Sequence, residues 1–179
     1  MYQNAGEQGC KHTNLADPPR RRANKTRGHG SWDTDRVPIA GVVGRDSGQI
    51  RLHVCAHSDR ATLQPFVEAH TGPHATVNTD EWQAYDRLPA TGRGHATVCH
   101  TPGRREWARD DDGDGLREVH DNTLEGIWTG LRNFLRPFRG VSKWFLSQYV
   151  AVFEWTYNLK QVTATFLRVM MRPSTPEPT

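Results

Sequence analysis

The stretch from His120 to Arg136 constrains the fold of this chain more than any other part of its sequence. Its apolar residues recur at intervals of three and four positions, which is the period of a helix with one buried face. These residues are Leu124, Ile127, Leu131, Phe134 and Leu135. We predict a helix with Asn122 at its N-cap, because an asparagine side chain accepts hydrogen bonds there, and with its end at Pro137, because proline has no amide hydrogen to donate.

Two charged residues of this helix lie beside its apolar face. Glu125 and Arg132 are seven positions apart, so they project from the same side, two turns from one another. A carboxylate and a guanidinium in this arrangement suit a metal ion and a phosphate group. A structural interpretation is equally open at this point, since Asn122 and Glu125 have the spacing of a capping box and Arg132 would then pair with a surface acid.

The composition indicates a single soluble domain with loose ends. The chain has 179 residues, of which 24% are charged and 35% are hydrophobic. No apolar run is long enough to cross a membrane, and the polar N-terminus does not have the pattern of a signal peptide. The cysteines Cys10, Cys55 and Cys99 are too scattered for a disulfide framework or a zinc site. We therefore expect a protein of the reducing cytoplasm.

Basic residues form two clusters that point to a polyanionic partner. Clustered lysine and arginine neutralise phosphates and release counterions, which is the main sequence-independent contribution to nucleic-acid binding. For the first cluster alone, a solvated flexible arm is an equally good interpretation. The first cluster consists of Arg20, Arg21, Arg22, Lys25 and Arg27, and the second of Arg132, Arg136, Arg139 and Lys143.

The remaining hydrophobic patterns predict a mixed α/β domain over residues 37–170. Residues 1–36 lack a sustained period and are predicted to be irregular, and the proline-rich residues 171–179 to be disordered. The order of strands and helices favours a mixed sheet packed by helices. The predicted elements are a hairpin (37–44 and 49–56), helices (61–70, 82–88 and 142–170) and strands (75–78 and 95–99).

Asp80 directly follows one of these predicted strands. A carboxylate at the end of a buried strand can bind Mg²⁺, which prefers oxygen ligands. The alternative is that Asp80 caps the short helix beginning near Trp82, and its position alone favours the cap. His120, next to the organising helix, is a further candidate for the wall of a site, although no pattern fixes its role.

The acidic stretch of residues 110–121 resembles a twelve-residue calcium loop. Its acidic residues and Gly115 occupy ligand and turn positions of such a loop. However, Arg117 stands where an apolar residue is usual, and Asp121 replaces the bidentate glutamate. A solvated acidic loop is therefore the favoured interpretation, and a calcium-binding protein is a minor alternative.

Several motifs together resemble the DDE transposases of bacterial insertion sequences, in particular the ISXO-like group. The resemblance extends from Tyr2 to about Asn158, and the order of the motifs is more specific than any one of them. The motifs read T-D-E-W-Q-A-Y, H-A-T-V-C-H, E-V-H-D-N-T-L-E-G-I-W-T-G-L-R and F-R-G-V-S-K, followed by Y-N in the last predicted helix.

This resemblance implies a ribonuclease-H-like fold with three acidic residues around Mg²⁺ or Mn²⁺ ions. It assigns Asp80 as the second acid, Glu125 as the third and Arg132 as a contact to DNA or the reacting phosphate. The reaction would be metal-dependent DNA strand cleavage and transfer. The resemblance further implies DNA as a partner, a homo-oligomer in the active complex and a place at the bacterial nucleoid.

One departure from the family pattern limits this expectation. In this group the first catalytic aspartate lies in an Asp-Glu pair, at the end of the first strand, directly before the segment that here reads M-Y-Q-N-A-G. We therefore expect the first acid and its strand to be missing. Asp17, Asp33 and Asp35 do not match the motif. A non-catalytic DNA-binding or dimerising remnant of a transposase thus stands as the alternative function.

Overall fold

A computed structural model describes Trp32 and residues 37–101, 103–159 and 162–171. The predictions for residues 1–36, apart from Trp32, and for the tail after Met171 fall outside this part of the chain. The first basic cluster, from Arg20 to Arg27, falls outside it as well.

The first two strands form the predicted hairpin. β1 (Ile39–Val43) pairs antiparallel with β2 (Ile50–Val54), with Val43 opposite Ile50 at the turn. The amide of Gly44 donates to the carbonyl of Gln49 at 2.9 Å and closes the connection.

A helix and a parallel strand pair follow the hairpin. α1 (Arg60–His70) begins where predicted, because the side chain of Asp59 accepts a hydrogen bond from the amide of Thr62. β3 (Thr76–Asp80) then pairs in parallel with β4 (Gly94–Val98). The predicted helix at 82–88 is instead two 3-10 turns, Gln83–Tyr85 and Leu88–Thr91, within the crossover between the strands.

The mixed α/β class is confirmed, but the described strands form two separate pairs where a single sheet was expected. The ladder bonds of β1 alternate, since Cys55 donates to Pro38 and Gly44 to Gln49. The backbone groups of Ile39, Gly41 and Val43 consequently point away from β2. Within the described residues, nothing forms hydrogen bonds with this outer edge of β1.

The two opposite edges are covered by side chains. On β2, Glu154 accepts from the amide of Leu52 at 2.6 Å, and Asn158 bonds both the amide and the carbonyl of Ile50 at 2.8 and 2.9 Å. On β4, Arg109 donates to the carbonyl of Thr97 at 2.8 Å. Each strand pair therefore has one covered edge, on β2 and on β4, and among the described residues the outer edges of β1 and β3 have no strand partner.

The organising helix is α2 (Asn122–Leu135), which passes into a 3-10 turn at Arg136–Phe138. Its apolar face packs with the following helix α3 (Lys143–Asn158) against the hairpin. The ring of Trp128 approaches the backbone of β1 so closely that a Cβ on Gly41 would lie 2.8 Å from it. The buried cluster comprises Ile50, Ile127, Leu131, Leu135, Val141, Leu146, Val150 and Phe153.

The prediction of one long helix over residues 142–170 is wrong. α3 ends at Asn158, and a short helix, α4 (Ala164–Met170), begins separately. Two contacts accompany the break: the distant one between the Asn158 side chain and Ile50, and a local one in which Thr163 accepts a hydrogen bond from the amide of Phe166 and starts a new helix. None of the helices in the described ranges has the length and apolar character needed to cross a bilayer.

Candidate metal and nucleic-acid site

The N-terminus of α2 is displaced by one residue from the prediction. Asp121 occupies the N-cap and Asn122 is the first helical residue. In this register the third helical position is Leu124, so Glu125 cannot complete the predicted capping box. Asp121 makes no capping hydrogen bond with its own side chain. Both carboxylates are thereby available for other contacts, in the first turn of a helix whose backbone dipole favours negative charge.

Three side chains converge at this helix end. His100 follows β4, Asp121 caps α2 and Glu125 lies one turn further on; a ligand atom from each lies within 4.8 Å of the others. The Nε2 atom of His100 is 3.1 Å from each carboxylate oxygen of Asp121. This set combines one imidazole and two carboxylates, which are groups that bind divalent ions.

The imidazole of His100 lies between the carboxylate of Asp121 and the ring of Trp107. The ring of Trp107 lies 4.8 Å from it, centroid to centroid, while the tryptophan remains 55% exposed. The Nδ1 atom of His100 is buried and has no hydrogen-bond partner among the described residues. The ring is thus fixed in orientation by packing and by Asp121 alone.

Asp80 lies at the same end of the β3–β4 pair as His100, which belongs to this cluster. It ends β3 opposite Val98, and His100 follows Val98 by two residues, so both emerge at the carboxyl ends of parallel strands. Asp80 is exposed, and its Oδ1 accepts from the amide of Trp82 at 3.2 Å. This contact is the local cap that sequence analysis gave as the alternative role. Asp80 is not a member of the cluster formed by His100, Asp121 and Glu125.

Arg45, in the turn after β1, links β3 to the segment before α2. Its guanidinium donates to the carbonyl of Glu118 and, at 2.5 Å, to that of His120. With the Asn78 amide turned so that its oxygen faces Arg45, that oxygen accepts from the same guanidinium at 2.9 and 3.2 Å. Asn78 and Asp80 lie on one face of β3, because side chains alternate along a strand. Arg45 therefore brings this face of β3 close to the start of α2.

Two ionisable groups near this edge are perturbed. Burial, with a smaller contribution from the Asp80 charge, raises the pKa of Tyr85 to about 12. Burial and then the charge of Arg45 lower the pKa of His120, and Asp121 opposes this shift. Both groups are consequently neutral near pH 7, and His120 contributes no positive charge beside the cluster.

The second basic cluster is divided by the structure. Arg132, Arg136 and Arg139 are exposed along the C-terminal half of α2 and the turn that follows. Lys143, by contrast, donates to the carbonyl of Trp32 at 2.8 Å and lies over the rings of Trp32 and Trp144. The three arginines form a basic surface, while Lys143 is engaged within the fold.

The acidic loop contains a second compact cluster. Ligand atoms of Asp110, Asp112 and Glu118 also lie within 4.8 Å of one another. The oxygens of Asp110 accept from the amides of Gly113 at 2.6 Å and Gly115 at 2.9 Å. Asp121, the last ligand position of the suggested calcium loop, instead faces His100. The loop is therefore organised around its own backbone.

Sequence analysis missed His100 and Asp121 as partners of Glu125. Asp121 entered only as a position of the suggested calcium loop, and His100 only as the last residue of the motif H-A-T-V-C-H. The available signal was the position of His100 immediately after a predicted strand, since polar groups at the carboxyl ends of strands collect in sites. Their pairing spans an irregular segment without a period, so no spacing rule could have identified it.

Comparison with known proteins identifies the family to which this chain belongs. The ISXO2-like transposase domain matches residues 9–158, and the chain belongs to this family of insertion-sequence transposases. Among individual proteins, it is 28% identical over 147 residues to an uncharacterized protein in the transposable element ISH50 of Halobacterium salinarum. The match covers 82% of this chain and 47% of that protein, so the chain spans about half the length of the relative. No solved structure matches the chain.

Proposed function

We propose that this chain is the catalytic part of a DDE-type transposase, which cleaves DNA strands at the ends of an insertion sequence and joins them to a target. Membership of the ISXO2-like family supports the reaction class. The observation that carries the proposal is the position of Glu125 within a cluster of potential metal ligands. One of these ligands, His100, follows the carboxyl end of β4, next to the carboxyl end of β3 where Asp80 lies. DNA is the proposed partner, and a homo-oligomer, associated with the nucleoid, the proposed active form.

The proposed fold is ribonuclease-H-like, with one further strand between the two described pairs. The open outer edges of β1 and β3 support this, because a strand between them would find backbone partners on both sides. Arg45 supports it too, since with the Asn78 amide turned its guanidinium is 2.9 Å from the amide oxygen of Asn78, which places the turn after β1 near β3. We propose that this further strand is the first strand of the family, whose end would carry the first catalytic aspartate.

Each proposed site residue has a distinct role. Asp80 and Glu125 hold divalent ions, Mg²⁺ or Mn²⁺, and the helix N-terminus partly offsets the charge of Glu125 before an ion binds. When bound, such ions activate the attacking oxygen and stabilise the leaving oxygen of a phosphodiester. Arg132, two turns from Glu125 on the same side of α2, is exposed and contacts the DNA phosphate.

Strand nicking in vitro tests this proposal. Because the match covers only 47% of the relative, the assay uses a version extended upstream through an Asp-Glu pair, with DNA carrying the element ends. Nicking is expected with Mg²⁺ or Mn²⁺ and is expected to disappear in Asp80→Asn and in Glu125→Gln. Nicking that persists in both variants, or none in the extended protein, would rule the proposal out.

A second candidate is DNA binding without catalysis. It is favoured by the exposed surface of Arg132, Arg136 and Arg139 and, in the sequence, by the cluster Arg20–Arg27. The logarithm of the binding constant should fall with the logarithm of salt concentration by about 0.9 per neutralised phosphate. A triple substitution of the three arginines to glutamine should lower that slope by about two to three, since each removes about one phosphate contact. Steep salt dependence without metal-dependent nicking in the extended version would select this alternative.

A further inference from the structure

The cluster at the start of α2 contains a nitrogen ligand, which bears on the kind of metal it can bind. Two carboxylates one helical turn apart, Asp121 and Glu125, repel one another unless a cation lies between them. The N-cap side chain is turned away from its capping role towards His100. A cation bridging all three groups accounts for both features.

The spacing of these groups suits metal coordination. Neighbouring ligands in an octahedral shell with bonds of about 2.1 Å are separated by about 3.0 Å, and opposite ligands by about 4.2 Å. Nε2 of His100 is 3.1 Å from either oxygen of Asp121, which is the separation of neighbouring ligands. All three ligand atoms lie within 4.8 Å of one another, so they could occupy three positions of one shell, with water in the others.

The surroundings of His100 favour this use of its ring. The ring packs against Trp107, which holds it in one orientation. Packing that fixes the ring leaves little conformational entropy to be lost when Nε2 becomes a ligand. The opposite side of the cluster, at Glu125, is open to solvent and admits an ion.

We propose that His100, Asp121 and Glu125 form a mixed nitrogen–oxygen site that selects a divalent transition-metal ion over Mg²⁺. Imidazole binds transition metals in preference to magnesium, and affinities at such sites rise from Mn²⁺ to Co²⁺. The inference shares Glu125 with the proposed function and refines the identity of its metal. It does not need Asp80 or DNA, so it can be tested on the chain as it stands.

Calorimetric titration with Mg²⁺, Mn²⁺ and Co²⁺ tests the proposal. We expect Co²⁺ to bind most tightly and Mg²⁺ most weakly. His100→Asn should weaken Co²⁺ binding by about 10–100-fold while changing Mg²⁺ binding by less than about twofold, because only the nitrogen ligand is lost. The matched control Asp121→Asn should weaken binding of all three ions. An Asp112→Asn background removes any contribution from the acidic loop.

A spectroscopic measurement makes the result independent of variant folding. Mn²⁺ bound to the unaltered chain should show nitrogen coupling in pulsed electron paramagnetic resonance, and His100→Asn should remove it. Absence of nitrogen coupling, or equal losses for Co²⁺ and Mg²⁺ in His100→Asn, would overturn the inference. Selective metal binding together with absent nicking in the extended protein would contradict the proposed function and leave this inference standing.

Discussion

The two clusters of potential metal ligands each lie within the same 4.8 Å limit, and they differ in what surrounds them. In the loop cluster (Asp110, Asp112 and Glu118), the Asp110 oxygens accept hydrogen bonds from backbone amides of the same loop. Oε1 of Glu118 accepts a hydrogen bond from the amide of Asp111 at 2.8 Å. In the helix cluster, Asp121 faces an imidazole and makes no capping bond, and Glu125 is exposed. The carboxylates of the loop stabilise its own backbone, whereas, within the part of the chain that the structure describes, those of the helix cluster make no hydrogen bond to the backbone of their helix end.

This difference shows that the density of acidic residues is a poor guide to function. Backbone amides lower the pKa of Asp110, so this carboxylate is already stabilised as an anion without a metal. Glu125 of the helix cluster lies on the side of α2 next to its buried face, which includes Leu131. Rigid support and unsatisfied charge together distinguish a candidate site from a structural loop.

The largest expected effect separates the clusters by activity. In the extended protein, Glu125→Gln should lower the rate of strand nicking by about 10²–10³-fold, because a ligand stabilising transition-state charge is lost. Asp112→Asn in the loop should leave the rate within about twofold. Single-turnover nicking of end-labelled DNA measures both. A comparable loss in the two variants would remove the functional distinction between the clusters.

The packing of the segments that carry the two clusters can be compared through the free energy of unfolding. Leu131→Ala should lower the free energy of unfolding by about 2–5 kcal/mol, because Leu131 is buried under α2 and leaves a cavity. Leu116→Ala, in the acidic loop, should cost less than about 0.5 kcal/mol, since Leu116 is 68% exposed. Urea denaturation followed by circular dichroism measures both. A large loss for Leu116→Ala would mean that the loop packs against a surface in solution.

Replacing a carboxylate should weaken metal binding in the helix cluster and not in the loop cluster. Asp121→Asn is expected to weaken Mn²⁺ binding by about tenfold or more, while Glu118→Gln should change it by less than about twofold. Titration of the Mn²⁺ resonance signal gives both constants. Parallel titration with Ca²⁺ on the unaltered chain and on Asp112→Ala should show no saturable site in the loop; a calcium site lost in Asp112→Ala would support the calcium-binding alternative.

The smallest effect concerns the pH dependence of the loop. The pKa of Asp110 is lowered in the folded protein, chiefly by the amides of Gly113 and then Gly115. Its contribution to stability is therefore present above the pKa of an unfolded aspartate and is lost as pH falls through the lowered folded pKa. Amide proton shifts of Gly113 and Gly115 should move together in this acidic range. In Asp110→Asn that transition should disappear; if it persists, another carboxylate organises the loop.

Periodic and locally capped elements were predictable from the sequence. The hairpin, α1 and the apolar face of α2 follow from residue alternation, from Asp59 as an N-cap and from helical spacing. Each depends on neighbours in sequence, so the chain specifies it locally. The assignment of this chain to a transposase family from its ordered motifs is likewise confirmed.

Features that depend on distant contacts were not predictable. The end of α3 is determined by Asn158 binding Ile50, 108 residues away along the chain. The helix cluster requires His100 and Asp121 to meet across 21 residues of irregular backbone. The roles of Asp80, Glu125 and Arg132 in catalysis remain predictions.

The covered outer edges of β2 and β4 have a consequence for assembly. Glu154 and Asn158 on one strand, and Arg109 on the other, occupy the backbone groups through which a neighbouring chain would otherwise extend the sheet. Stacking of molecules into fibres through these strands is therefore blocked. Among the described residues, the strand edges without a partner are those of β1 and β3, so a further strand would pair there.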